Sequence, residues 1–182
     1  MSRAVLSIGS NLGDRLAWMQ SAVDGLGSAV RAVSGVYETE AWGGVPQGPF
    51  LNAVLVVDDP AADERHWLRR AHELEQAAER VRTQRWGPRT LDVDVISCRR
   101  ADGMPVRSDD EELTLPHPRA HLRAFVLVPW LSVEPDARLT VGDRSRAVQD
   151  LLDDLDPAER DGVALTDLVL HRREWPARVG SN

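Results

Sequence analysis

An α+β fold, with helices packed on one face of an antiparallel sheet, is what the sequence predicts. Three observations carry that expectation. A short apolar run at Ala4–Ile8 is followed by Leu16, Met19, Val23 and Leu26 at helical spacing. Leu51–Val57 is nearly all apolar, as a strand covered on both faces must be. Apolar strand-length segments and helical stripes then follow one another in the order β-α-β-β-α-β.

Each element has a local reason. Residues 4–8 read as a buried strand that Gly9 stops, and Gly27 stands where a glycine ends a helix. A second strand is expected over Val30–Glu38, and residues 43–49, rich in Gly and Pro, form a loop. Asp59 is placed to cap the next helix, with Pro60 at its first position. Trp67, Ala71, Leu74 and Ala78 form that helix's core stripe. Leu91–Ile96 is a further strand, Asp102-Gly103 a turn, and Leu113–Leu115 extended again. Arg146–Leu155 reads as a last helix ended by Asp156-Pro157, while 156–182 has weak periodicity and no assignment. The order β-α-β-β-α-β is that of a ferredoxin-like sandwich. One domain over 1–182 is expected, with its core in about 4–155.

Composition narrows the function classes. With 42% hydrophobic and 28% charged residues, the chain has a globular mixture. A single Cys98 excludes a disulfide framework or a Cys-rich zinc module. No apolar run reaches membrane-spanning length and residues 1–8 lack a basic leader segment, so a soluble cytoplasmic protein is expected. The net charge is −7, and all 22 basic residues other than His are Arg, so anions must be met by guanidinium forks. An acidic chain argues against broad nucleic-acid or membrane binding. Any local basic cluster therefore stands out.

Asp92-Val93-Asp94 is the sharpest chemical feature. Strand parity puts both carboxylates on one face, about 6.6 Å apart at Cα, where they can share a hard cation or hold Mg²⁺ with phosphate oxygens. The alternative is an exposed face bearing two solvated acids. Arg80, Arg82, Arg85 and Arg89 precede the pair, and Trp86-Gly87-Pro88 interrupts them, which makes the stretch a loop. Guanidinium groups beside metal-binding carboxylates suit a polyphosphate; pairing of the arginines with Glu75 and Glu79 is the competing reading. Gly9-Ser10-Asn11-Leu12-Gly13 has the place of a phosphate loop without its ending, and a tight strand-to-helix turn is the better reading. Pro116-His117-Pro118 holds an imidazole with little backbone freedom. Phe50 and Asn52 share a strand face, an arrangement that suits a flat heterocycle through stacking and edge readout; simple core packing is the alternative.

Together and in this order, these segments resemble 6-hydroxymethyl-7,8-dihydropterin pyrophosphokinases of the folate pathway. The resemblance rests on Ser7–Asp14, Tyr37-Glu38-Thr39, Phe50–Ala53, Arg80-Val81-Arg82, Arg85–Asp94, Leu113–Pro118 and Arg123-Ala124-Phe125. It implies transfer of diphosphate from ATP to the pterin hydroxymethyl oxygen, with release of AMP. It implies two Mg²⁺ ions at Asp92 and Asp94, and Arg80 and Arg89 as the catalytic cations. It further implies ATP contacts at Glu75, Arg80, Arg82, Arg89, Thr114, His117 and Arg123. Pterin contacts are implied at Thr39, Trp42, Phe50, Asn52, Trp86 and Phe125, with Trp86 on a closing loop. No general base stands out, and a monomer without nucleic-acid partners is expected. The chain departs from many relatives at Glu40-Ala41 and from some at His72 and Glu112. A metal-dependent phosphohydrolase and a non-enzymatic nucleotide- or RNA-binding module are the competing classes.

Overall fold

The computed structural model describes residues 2–41, 46–78 and 88–173. Strand β1 (Ser2–Ser10) leads into helix α1 (Arg15–Leu26), whose N-terminus is capped by the Asp14 carboxylate accepting from Ala17 N–H. Gly27 ends it at φ 54°, as its position in the sequence predicts. Strand β1 does not stop at Gly9: that residue lies inside it and pairs on both sides. The expected strand at 30–38 is two strands, β2 (Val30–Val33) and β3 (Tyr37–Thr39). Between them Ser34 turns inward, its backbone N–H donating to Val54 O and its hydroxyl accepting from Val54 N–H.

Strand β4 (Phe50–Asp59) is central, with Leu51 to Val57 all buried. Helix α2 (Glu64–Ala77) begins later than the sequence suggests. Asp59 is not its cap; its carboxylate accepts from Ala61 N–H in a local turn, and Asp63 caps the helix through His66 N–H. The stripe of Trp67, Ala71, Leu74 and Ala78 is buried as expected. Strand β5 (Asp92–Arg100) returns antiparallel beside β1. The path of the main sheet runs β5-β1-β4-β3, with β2 also on β4, which is the ferredoxin-like arrangement.

Both faces of this sheet are covered, which corrects the expectation of helices on one face. Helices α1 and α2 cover Ala4, Leu6, Ile8, Leu55, Val93 and Val95. Helices α3 (Ala124–Val133) and α4 (Val148–Asp153) cover Val5, Val54 and Ile96 on the other side. Helix α3 is apolar all round and contains Pro129, so it shows no helical stripe in sequence; it is buried between sheet and α4. The expected helix at 146–155 shortens to α4. Two small hairpins follow the sheet, one pairing β6 (Ser108–Asp109) with β7 (Thr114–Leu115), the other β8 (Arg138–Val141) with β9 (Arg144–Ala147). After a short helix α5 (Pro157–Asp161), strand β10 (Ala164–Leu165) pairs with β3 and extends the sheet. Among the described residues no helix is long and apolar enough to cross a membrane.

A bulge decides which side chains of β5 face which layer. Leu6 pairs with Val95 but Val5 with Ser97, so Ile96 is an extra residue. Below it, Val93 and Val95 point to α1 and α2, leaving Asp92 and Asp94 on the α3 face.

The largest wholly buried side chain is Trp67, whose indole N–H also donates to Ser2 Oγ at 2.7 Å. Trp67→Ala is expected to lower stability by about 3–5 kcal/mol, through cavity formation and the orphaned hydroxyl. Urea unfolding checks this: the midpoint should fall with an unchanged denaturant slope.

Candidate active site

Where the α3 layer ends, the sheet's second face is left open as a pocket, and every strand there contributes by its parity. Strand β1 supplies Ser7 and Gly9, β4 supplies Phe50 and Asn52, and β5 supplies Asp92 and Asp94. Thr39 and Glu40 close one side; Arg89, Arg123 and Phe125 close the other. Gly9 pairs with Asn52 on one flank and Asp92 on the other, while Ser7 pairs with Asp94. A Cβ at Gly9 would stand 3.2 Å from Asn52 Oδ1 and 3.5 Å from Phe50 Cδ1, so any side chain there would crowd the amide and fill the floor between the apolar and acidic halves.

In the acidic half, Arg89 Nη1 donates to Asp92 Oδ2 at 2.7 Å, and Arg123 Nη1 to Asp94 Oδ2 at 3.3 Å. Burial, and then the neighbouring Asp92, push the Asp94 carboxyl up to about 7, with Arg123 opposing. Two carboxylates crowded in this way form a donor set that a hard cation relieves. Among the described residues there is no group of three or more His, Cys, Asp or Glu that could hold a metal. Any cation here would complete its shell with ligand oxygens or water. The Arg123 Nε is buried without a hydrogen-bond partner among the described residues.

The apolar half has Phe50 from the start of β4 and Phe125 from the first turn of α3, with the Arg123 guanidinium 5.5 Å from the Phe125 ring centre. Asn52 Nδ2 donates to Thr39 Oγ1 at 2.8 Å, which fixes the amide's orientation. His117 sits near the acidic half, its N–H bonded to Ile96 O at 2.8 Å. Burial, with Arg123 and Arg119 nearby, pushes its imidazole down to about 4, so it is neutral at pH 7. Its Nδ1 accepts from Arg119 N–H, which leaves the proton on Nε2 as a donor.

The expected pocket residues Thr39, Phe50, Asn52, Arg89, Asp92, Asp94, Arg123 and Phe125 are thus brought together. Glu75 and Thr114 are not among the pocket-lining residues. Glu75 is buried and accepts from Val93 N–H at 2.9 Å, tying α2 to the outer edge of β5 between the two aspartates. Thr114 is exposed on its small hairpin and pairs with Asp109. Trp42, Arg80, Arg82, Arg85 and Trp86 lie outside the described residues.

Sequence reasoning missed Asn11. Its side chain is buried and accepts from Arg89 N–H at 2.7 Å, while Nδ2 donates to Gln47 Oε1 and Gly48 O. Its own N–H donates to Arg89 O. One amide therefore links the loop before Phe50 to the loop carrying Arg89. Arg15 adds a second tie, donating to Glu38 and to Pro49 O. The signal was the Gly9–Gly13 segment, a turn that clamps neighbouring loops.

Fold and pocket define an α+β protein of ferredoxin-like arrangement that sets paired carboxylates and guanidinium groups beside an amide and two phenyl rings. Residues 5–135 match the family model of 7,8-dihydro-6-hydroxymethylpterin-pyrophosphokinase, and the chain belongs to that family. It is 61% identical over 184 residues to the Mycobacterium leprae 2-amino-4-hydroxy-6-hydroxymethyldihydropteridine pyrophosphokinase, covering 98% of this chain and 96% of that protein. The Mycobacterium tuberculosis protein of the same name is 58% identical over 169 residues, 91% of this chain and 90% of that one. Among solved structures, a Plasmodium falciparum HPPK-DHPS superimposes with a TM-score of 0.58 at 12% identity, over 84% of this chain and 45% of that one. This chain spans less than half of that solved chain, and the likeness is one of fold.

The Asp94 shift has a sign that stability reports. A carboxyl raised in the folded state favours folding only when protonated, so its cost accumulates from about pH 4, the unfolded value, and is complete above about pH 7. Asp94→Asn is therefore expected to raise the melting temperature of the metal-free protein more at pH 8 than at pH 5. Paired thermal scans at the two pH values check it; equal shifts would contradict the crowding of the two acids.

Proposed function

We propose that this pocket transfers a diphosphate group from ATP to the hydroxymethyl oxygen of 6-hydroxymethyl-7,8-dihydropterin, giving AMP and the pterin diphosphate. The observation that carries this reading is the adjacency across Gly9 of Asp92 on one side and Asn52 with Phe50 on the other. Phosphate chemistry and heterocycle recognition are one residue apart. Family membership and the curated relatives' names support the same reaction.

In this reading Phe50 and Phe125 stack on the pterin, and Asn52, oriented by Thr39, reads its edge. Trp42 and Trp86 are assigned to the same ligand on the family resemblance. Asp92 and Asp94 would hold Mg²⁺ together with ATP phosphate oxygens, and Mg²⁺ bound there supplies charge neutralisation at the transferring group. Arg89 and Arg123, now paired with the two carboxylates, are placed to turn to phosphate oxygens when nucleotide enters. The resemblance assigns Arg80 and Arg82 to that work too. His117 offers Nε2–H to an anion without itself carrying charge at pH 7. The acceptor hydroxyl oxygen attacks the β-phosphorus, the bond from that phosphorus to the AMP oxygen breaks, and the hydroxyl proton passes to water; positioning and charge do the work, and no strong base is required. The working unit in this reading is a cytosolic monomer.

Product analysis with ATP, Mg²⁺ and hydroxymethyldihydropterin tests the reaction. AMP and pterin diphosphate are expected, and inorganic phosphate in place of the pterin product would overturn it. Asp92→Asn and Asp94→Asn should each lower turnover by about a hundredfold, on the order of 3 kcal/mol. Pterin affinity without nucleotide should be kept. Phe50→Ala or Phe125→Ala should weaken pterin binding by about 1 kcal/mol, with nucleotide affinity kept, as calorimetry with each ligand would show.

A further inference from the structure

Beyond residue 135, where the family match ends, the chain does more than trail away. Strand β10 pairs antiparallel with β3, Ala164 opposite Glu38 and Leu165 opposite Tyr37. Thr166 then donates twice to Val36 O, from its N–H at 3.0 Å and its hydroxyl at 2.8 Å. Gly35 lies so close beneath that a Cβ there would stand 2.9 Å from Leu165 Cδ1. Leu168 packs against the α1–α2 core and Leu170 is buried in it. Farther on, His171 and Gln20 of α1 exchange two hydrogen bonds, at 2.8 and 2.9 Å. Arg172 donates to Arg31 O, and Arg173 pairs with Asp24. The segment is attached at both ends, to the outer edge of β3 and to α1.

What it holds is a wall of the pocket. Strand β3 has three residues, and a strand so short has few ladder bonds of its own. Its inner edge pairs Tyr37 with Asn52 and Thr39 with Phe50. Thr39 Oγ1 is the acceptor that orients the Asn52 amide. If β3 slips, the amide loses its partner and the apolar half loses its side wall. The acidic half is built on β5, on the far side of β1 and β4, and its described ion pairs, Arg89–Asp92 and Arg123–Asp94, involve no residue of this segment.

We propose that residues 164–173 are a strap that sets the heterocycle half of the pocket by gripping β3 from outside, with Thr166 as the positioning residue. This rests on the reading of that half as the pterin site. The strap governs acceptor affinity and leaves nucleotide affinity alone.

The test uses the full chain. Thr166→Pro removes both donors to Val36 O, and the extended Leu165 before it tolerates a following proline. Gln20→Ala removes both hydrogen bonds to His171 and loosens the other end. For each variant, calorimetry is run with 6-hydroxymethylpterin, which is not turned over when nucleotide is absent, and separately with Mg²⁺ and α,β-methylene-ATP. Amide exchange is followed over residues 36–40. Thr166→Pro is expected to speed that exchange and weaken pterin binding by about tenfold, with nucleotide affinity held within about twofold. In turnover, pterin KM should rise while kcat stays within about twofold. Gln20→Ala should act in the same direction with smaller size. Faster exchange with unchanged pterin affinity would overturn the proposal, as would equal weakening of both ligands. Should Thr166→Pro fail to fold, Thr166→Val, which keeps the backbone donor and loses the hydroxyl that donates to Val36 O and accepts from Leu168 N–H, decides on the same two outcomes. Wild-type protein that binds no pterin would instead overturn the reading of the pocket, and the exchange data would still report whether the strap holds β3.

Discussion

Strand β1 is hydrogen-bonded along its whole length to β4 on one side and β5 on the other, and the pocket is a consequence of that double pairing. Because Gly9 is the residue opposite both Asn52 and Asp92, an amide and a carboxylate from distant parts of the chain arrive at one level of the sheet. The missing side chain between them is what turns a packed surface into a floor. Farther along the same face, Val5, Val54 and Ile96 are covered by α3 and α4, so cavity and core are two ends of one surface. The position of the open end follows from where α3 begins: Arg123 and Phe125 stand at its first turn and look into the cavity.

The electrostatics depend on the same placement. Every guanidinium described at the site has a carboxylate opposite it, Arg89 with Asp92 and Arg123 with Asp94. Opposed charges of this kind keep the long Arg side chains folded over the sheet, where a free cation would extend into water. Glu75 adds a third acid just behind β5, contributing to the upward push on Asp94 while it anchors the strand's outer edge. Stability and chemistry are coupled through that strand, since the helix that packs the core also holds the acids in position.

The sequence made much of this legible because strand parity is a strict rule. Phe50 with Asn52, and Asp92 with Asp94, are pairs two residues apart, and each falls on one face as alternation requires. Helices α1 and α2 carry apolar stripes and were equally readable. Helix α3 was not, because a helix buried all round has no polar face to set a period, and Pro129 argues against helix locally. The second layer therefore went unseen. Asn11 escaped because its work is done across distances of 36 and 78 residues, which no local pattern encodes. The anchoring bond of Glu75 was equally hidden, because a buried acid accepting from a backbone N–H at a sheet edge reads in sequence like an acid facing solvent. Residues 164–173 lacked periodicity for a similar reason: their bonds go to Val36, Gln20 and Arg31, so their pattern is borrowed from elements far away.

Ile96, the unpaired residue in β5, acts as a phase shifter between two halves of one strand. Toward Arg100 the strand is in step with Ala4 and Val5; toward Asp92 it is one residue out of step with that half. Alternation sets Asp92 and Asp94 opposite Val93 and Val95, and the offset at Ile96 lets Cys98 rejoin the layer of the two valines although its number has the parity of the acids. Length changes in this strand consequently have two different meanings. Adding or deleting one residue between Ile96 and Asp92 would turn the carboxylates into the hydrocarbon layer, whereas the same change beyond Arg100 would alter only the length of a hairpin at the opposite end of the sheet. The fold therefore separates a stretch that tolerates drift in length from one where a single codon inverts the chemistry of a whole surface.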